Sequence, residues 1–222
     1  MKRAGAVIAV CVTGLMILSA CSSGKSGGTA SGGNSSPETA SSHASSPPTK
    51  PSVVAPLSMP PASVRISAFT QKFASPVPVS QSEAEIIAYF REAQLLWIRS
   101  DIAMRLVAPV TEFVTGEALT NLKKAVAAGK SNDRVPAGTD RFWNTRVTAL
   151  AGSKAIVTTC DDAIKYREIN PSTGKIDPAM TPKPYQAYLY ETWHMIQLSG
   201  RWAISSFTVA TLPNPSAQPC QL

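Results

Sequence analysis

Apolar and polar positions divide this chain into three stretches. Residues 4–17 are almost continuously apolar, residues 22–63 are mainly Ser, Gly, Pro, Ala and Thr without a period, and from about residue 80 apolar side chains return at regular spacing. Ser80 or Ser82 stands where a helix N-cap belongs, with Glu83 and Glu85 in the first turn to complement the helix dipole. Ile86, Phe90, Ala93 and Trp97, with Ile87, Leu96 and Ala103 on the adjoining stripe, predict a long amphipathic helix to about Arg105. A second helical segment follows Pro109. Val110, Phe113 and Val114 begin it, Gly116 interrupts it, and Ala118, Leu119, Leu122, Ala125 and Val126 resume the period before Gly129 ends it. Residues 130–139, with Pro136 and Gly138, read as a loop.

Beyond Thr139 the period changes from helical to two. Residues 145–150 and 154–160 form a predicted hairpin through Ala151-Gly152-Ser153, and residues 165–169 and a strand starting near Ile176 flank a turn at residues 170–174. Residues 185–198 meet residues 201–209 through Ser199-Gly200, a two-residue hairpin loop. Helices first and an antiparallel meander afterwards predict α+β, with the helices packed on one face of a curved sheet. If Leu198 pairs with Arg201, one face of the last hairpin carries Glu191, Trp193, Met195, Gln197, Trp202, Ile204 and Ser206. Trp193 then opposes Ser206, while His194, Ile196 and Phe207 share the other face. A slip of one residue would exchange the two sets.

The N-terminal apolar run carries a different message. Lys2 and Arg3 precede it and Leu18-Ser19-Ala20-Cys21 close it, the layout of a secretory signal with a small-residue cleavage site. It is shorter than the about 20 apolar residues that span a bilayer. Cys21 after two small residues and a Leu resembles the lipobox of bacterial lipoproteins. That resemblance implies cleavage after residue 20, diacylglycerol on the Cys21 thiol, and a mature protein on the outer face of the cytoplasmic membrane. Each buried methylene contributes about 0.8 kcal/mol, so two acyl chains anchor where one is marginal. Residues 21–63 then read as a disordered tether, its Gly/Ser half flexible and its Pro half stiffer. Residues 64–79 read as an extended linker in which Val64, Ile66, Phe69 and Phe73 are able to dock, and residues 80–222 as the folded domain. The formal charge falls from +7 to +5 on loss of Lys2 and Arg3, a modest excess suited to anionic headgroups or acidic wall polymers. There is no Lys/Arg run of the kind that binds nucleic acid, and no nucleic-acid partner is expected.

A long helix, shorter helical pieces and a meander ending in Gly200-Arg201-Trp202-x-Ile204 resemble the NTF2-like cone over about 140 residues. The domain is similar to that of actinobacterial exported lipoproteins of unassigned function. The shared features are an acidic residue in the long helix (Asp101), a Thr-Gly-x-Ala-Leu step (Thr115 to Leu119), Cys160-Asp161 after an early strand and a late Cys220. The resemblance implies that Trp202 and Ile204 point into the cone, and with them Trp193 and Met195. These four and Glu191 are the candidate pocket residues. NTF2-like enzymes use a buried Asp or His as base with a Tyr or acid as donor, since a carboxylate in an apolar cone is tuned toward neutral pKa.

Signal cleavage removes Cys11 and acylation occupies Cys21, leaving Cys160 and Cys220 as a disulfide in an oxidising compartment. Closing a loop of roughly 60 residues contributes on the order of 4 kcal/mol. A metal or redox pair is the rival reading, and two Cys without neighbouring His fall short of a zinc site. Asp101, Asp161, Asp162, Glu191 and His194 are the acid–base groups on offer, with Tyr89, Tyr188 and Tyr190 as donors, but no spacing among them makes a catalytic motif. Glu191 sits toward a strand end, where exposure at the rim is expected. Asp161 reads as a turn or strand-end cap, and His194 as a partly exposed structural residue. Trp97, Trp143, Trp193 and Trp202 read as core before pocket. No catalytic residue, metal or cofactor is assigned. The expectation is a membrane-anchored, non-catalytic binding or accessory module for an envelope protein or a small apolar ligand, able to form a homodimer through the outer sheet face. The alternative is a cone-pocket enzyme or lipid binder using Glu191 or Asp101.

Overall fold

The computed structural model describes residues 56–76, 80–183, 187–211 and 214–220. The signal, Cys21 and nearly all of the tether lie outside the described residues. The order of elements is β1 (Ser63–Ile66), β2 (Phe69–Phe73), α1 (Gln81–Ile102), α2 (Val110–Phe113), α3 (Gly116–Asn132), β3 (Val135–Ala151), β4 (Lys154–Ile169), β5 (Tyr188–Leu198) and β6 (Arg201–Thr211). The expected α+β class is the one observed, with the helices on one face of a bent six-stranded sheet ordered β1-β2-β3-β4-β5-β6.

Ser80 is the N-cap of α1. Its hydroxyl accepts the Glu83 N–H at 3.4 Å while Glu83 Oε2 accepts the Ser80 N–H at 3.0 Å, so two orphan donors are satisfied reciprocally. In the last turn Ser100 Oγ donates to Leu96 O at 2.8 Å and accepts Val107 N–H at 3.2 Å, turning the chain toward α2. Gly129 does not end α3. The helix runs on to Asn132, and Asp133 closes it in the left-handed region at φ 53°. Between α2 and α3 the chain crosses β6, where Val114 bridges to Ile204 and Thr115 N–H donates to Ile204 O at 2.8 Å.

The sheet departs from the predicted antiparallel meander at its first edge. Residues 64–79, read as a linker, carry β2 and most of β1, and β2 pairs with β3 in parallel, which makes the sheet mixed. The anchors expected to dock do so: Phe69 and Phe73 are buried, and Phe73 stacks on Phe142 at 5.7 Å. Arg91 on α1 fixes this hairpin, lying 5.1 Å from the Phe73 ring centroid and donating to Ala74 O at 2.5 Å. The predicted loop at residues 130–139 is in part the start of β3, which begins at Val135. Residues 154–169 form one strand, β4, and Ile176 makes only an isolated bridge to Ile169.

Three register shifts between β3 and β4 and one between β5 and β6 bend these long strands. Asn144, at φ 53°, lies in one of them. In the last hairpin Leu198 pairs with Arg201 and Met195 with Ile204, as the loop predicts. The extra residue Ser205 then shifts the pairing, and its hydroxyl donates to His194 O at 3.0 Å. Trp193 therefore opposes Phe207 instead of Ser206, and Phe207 turns inward to stack on Trp193 at 4.5 Å. The core gathers Phe90, Trp193, Met195, Trp202 and Ile204 between α1, α3 and the sheet. Cys160 and Cys220 form a disulfide that ties the C-terminal turn at residues 215–220 to β4.

Candidate functional site

The inner, helix-facing side of the sheet has two chemistries along its length. At the end near the last hairpin it is aromatic and dry. Trp193 lies 5.8 Å from Phe90 and 6.2 Å from Trp97, and Trp97 lies 5.7 Å from Phe207. At the other end alternation along four neighbouring strands brings polar groups inward. Phe73 and Phe142 face the core, so two residues earlier Gln71 and Asp140 face it too, directly opposite each other. Asp161 pairs with Phe142, and Glu191 pairs with Thr159 two residues along β4.

Asp161 and Glu191 are buried, and neither occupies the strand end or rim expected of it. Glu191 Oε2 accepts the Trp193 indole N–H at 2.9 Å. Burial, then the charge of Asp140, raises the Glu191 pKa to about 8, against the Trp193 hydrogen bond that lowers it. Asp140 and Asp161 share a hydrogen bond. Burial comes first in raising both, and the charge of Asp140 raises Asp161 further. Burial thus favours the protonated forms along this row. Asp140 Oδ1, Asp161 Oδ1, Gln71 Oε1 and Gln94 Nε2 are buried without a hydrogen-bond partner.

Beyond this row a cavity of about 180 Å³ opens between the C-terminal half of α1, α3 and the paired ends of β3 and β4. Asp101, Arg134, Pro136, Tyr166 and Glu168 line it. The register explains why Tyr166 and Glu168 reach it. Thr139 pairs with Lys165 and Arg141 with Asp162, so β4 carries one extra residue there and the inward set passes from odd to even numbers. Tyr166 then lies opposite Gly138 and meets Phe69 edge-on at 6.1 Å. Gly138 has φ +87°, and a Cβ there would lie 2.0 Å from Lys165 O, so only glycine allows this approach.

Asp101 is the central group of the cavity. Burial first, then the charge of Glu168, raises its pKa to about 7, while a hydrogen bond with Trp97 lowers it. Its Oδ1 is buried and unpartnered. The Tyr166 hydroxyl donates to Glu168 Oε1 at 3.4 Å, and burial followed by the charges of Glu168, Asp101 and Asp140 raises the phenol pKa. Burial likewise raises Glu168, opposed by Arg134, which itself pairs with Asp177 at 2.6 Å. The cavity thus offers a carboxyl that near neutral pH serves as donor or acceptor, beside a phenol, a second carboxyl and a guanidinium.

Of the residues singled out by sequence, Trp193, Met195, Trp202, Ile204 and Glu191 are all buried on the inner side, but none lines this cavity. Asp101 does. His194 is on the outer face, and Tyr188 and Tyr190 are half-buried in β5 away from the cavity. Sequence reasoning passed over Asp140, Arg134, Tyr166 and Glu168. Extending the period-two pattern back from Phe142 through Asp140 would have found the first; Tyr166 and Glu168 depend on the extra residue in β4, and Arg134 on the link between α3 and β3. Among the described residues no helix is long and apolar enough to cross a membrane, and no group of three His, Cys, Asp or Glu is arranged to hold a metal ion.

No protein-family model matches the sequence, and no curated protein matches it. Solved structures do. A ketosteroid isomerase-like protein of Erwinia carotovora atroseptica is 15% identical with a TM-score of 0.40, over 60% of this chain and 98% of its own. A proposed aromatic ring hydroxylase of Novosphingobium aromaticivorans is 10% identical at 0.41, over 59% and 94%. The intermembrane-space region of the chloroplast protein ARC6 is 11% identical at 0.35, over 55% and 94%. At these scores the likeness is slight.

Proposed function

We propose that this chain is a lipoprotein held on the outer face of the cytoplasmic membrane by diacylglycerol on Cys21, and that its domain is a binding module whose ligand enters the cavity beside Asp101. The anchor is supported by the sequence from Lys2 to Cys21 and by the long Ser/Gly/Pro tract after it. The single observation behind the binding role is the buried, unpartnered Asp101 Oδ1 in a cavity with Tyr166, Glu168 and Arg134.

The cavity is smaller than the roughly 300–1,000 Å³ of drug-sized sites, and its lining is acidic. It suits a small ligand bearing hydrogen-bond donors, such as an amine or a polyol, more than the apolar molecule that the sequence suggested. A second reading, acid–base catalysis by Asp101, is favoured by the Asp101 pKa of about 7, which matches the working range of a general base.

An NMR titration with small amines and polyols tests the binding role. Shifts confined to Asp101, Arg134 and Glu168, lost in Asp101→Asn, support it; unchanged spectra, or shifts that persist in Asp101→Asn, sink it. For the anchor, incorporation of labelled palmitate and its loss in Cys21→Ser is the expected result. A Cys21→Ser chain that stays on membranes would remove that half of the proposal.

A further inference from the structure

We propose that the outer face of the sheet carries a second site, a groove that binds a phosphate group. It is independent of the Asp101 cavity, which opens on the inner face. The groove has a volume of about 210 Å³ and is lined by Lys72, Thr139, Arg141, Asp162, Ile164 and Lys165.

The strand register builds it. Gln71 and Phe73 point inward, so Lys72 and Thr70 point outward. Across β2 to β4 one outward row reads Lys72, Arg141, Asp162 and the next reads Thr70, Thr139, Lys165. Lys72 and Arg141 are direct cross-strand partners in adjacent strands. Like charges placed opposite each other weaken a strand pair, and an anion seated between them removes that repulsion. Among the described residues Lys72, Arg141 and Lys165 take no part in the ion pairs of Arg99 with Glu92, Arg134 with Asp177 or Arg201 with Glu112. The one carboxylate in the groove, Asp162, is partly engaged, its Oδ1 accepting the Ile164 N–H at 3.1 Å.

Three cations against one carboxylate leave a lining of net +2. A single carboxylate ligand would neutralise half of that. A phosphate carries up to two charges and several acceptor oxygens, and Arg141 supplies the planar fork that matches two of them, with the Thr139 hydroxyl beside it. The phosphate belongs either to a free monoester or to the headgroup of an anionic lipid.

The test uses the full chain with Cys21→Ser, so that no acyl group contributes, in two arms at constant ionic strength. Inorganic phosphate is titrated by NMR and thermal shift, and binding is measured to phosphatidylglycerol and phosphatidylcholine vesicles. Lys72→Gln/Arg141→Gln is compared with Lys123→Gln/Lys124→Gln, which removes the same charge from α3. The expected result is at least tenfold weaker binding in the groove variant and less than twofold in the control. Loss in the phosphate arm alone assigns a free monoester, and loss in both arms assigns a headgroup. A higher melting temperature for the phosphate-free groove variant than for its parent is expected from relief of the Lys72–Arg141 repulsion. Equal weakening in both variants, or no phosphate binding to the parent chain, overturns the proposal.

Discussion

The two ends of the inner sheet face are built on the same strands, yet they bury opposite materials. Toward the last hairpin Trp193, Phe207, Met195 and Ile204 pack against Phe90 and Trp97. Toward the other end Asp161 and Glu191 are buried and Asp140 is half-buried with its Oδ1 buried, with Asp101, Tyr166 and Glu168 beyond them. The first region stabilises by apolar burial and ring geometry. The second costs stability whenever its carboxyls ionise, because burial disfavours their charged forms. A sheet that keeps such a row has its aromatic end to offset the cost. Trp193 is the seam: its ring belongs to one region and its N–H serves the other.

The strongest way to break this contrast is Trp193→Ala, which empties the aromatic end. It should cost about 3–5 kcal/mol in urea unfolding. A loss below about 1 kcal/mol would mean that the stack of rings is not the stabilising half.

The acidic end is addressed by pH. Asp101 rises from 3.8 to about 7 and Glu191 from 4.5 to about 8 on folding. The folded state therefore holds more protons than the unfolded chain, and their contribution to stability falls as pH rises. It is highest below about pH 4, declines through 7 and 8, and is flat above both. Glu191→Gln should flatten part of this slope and raise the melting temperature at pH 9 by several degrees while changing little at pH 4. A parent protein whose stability rises between pH 5 and 8.5 would contradict the buried acidic row.

Trp193→Phe sharpens the boundary itself, keeping a ring in the stack and removing the donor to Glu191. A loss of about 1–3 kcal/mol is expected at pH 9, with an upward shift of the Glu191 titration followed by NMR. No movement of that titration would show the indole N–H to be irrelevant to the carboxyl. The smallest effect belongs outside both regions: Ser80→Ala removes the cap of α1 and should cost about 1 kcal/mol at every pH.

What could be read in advance follows the range of the forces involved. The cap of α1 is legible because Ser80 and Glu83 are three residues apart and act on each other. The last hairpin is legible as far as Met195 and Ile204, since its two-residue loop sets the register. Ser205 then breaks that register through a bulge, which carries no local signature, and Phe207 ends on the side opposite to the one predicted. Pro136 and Gly138 spell a loop by composition. Pro136 stands in β3 paired with Glu168 of β4 alone, and Gly138 stands there because the strand is held at that point by both β2 and β4 and glycine is needed opposite Tyr166. Asp140 was hidden for a related reason: a charged residue in an alternating run reads as solvent-facing, and only the placement of Phe142 against Phe73 and Phe90 shows which way the alternation points. The disulfide was legible from the cysteines left once Cys11 and Cys21 are set aside.

The borders of the sheet restrict how copies of the domain meet. On one side β1 offers four residues, too few to recruit a long neighbouring strand. On the other, the link between α2 and α3 already occupies β6 at Ile204. A neighbouring strand thus meets a short partner at β1 and an occupied position at Ile204 of β6, which hinders lateral growth into a continuous sheet at both places.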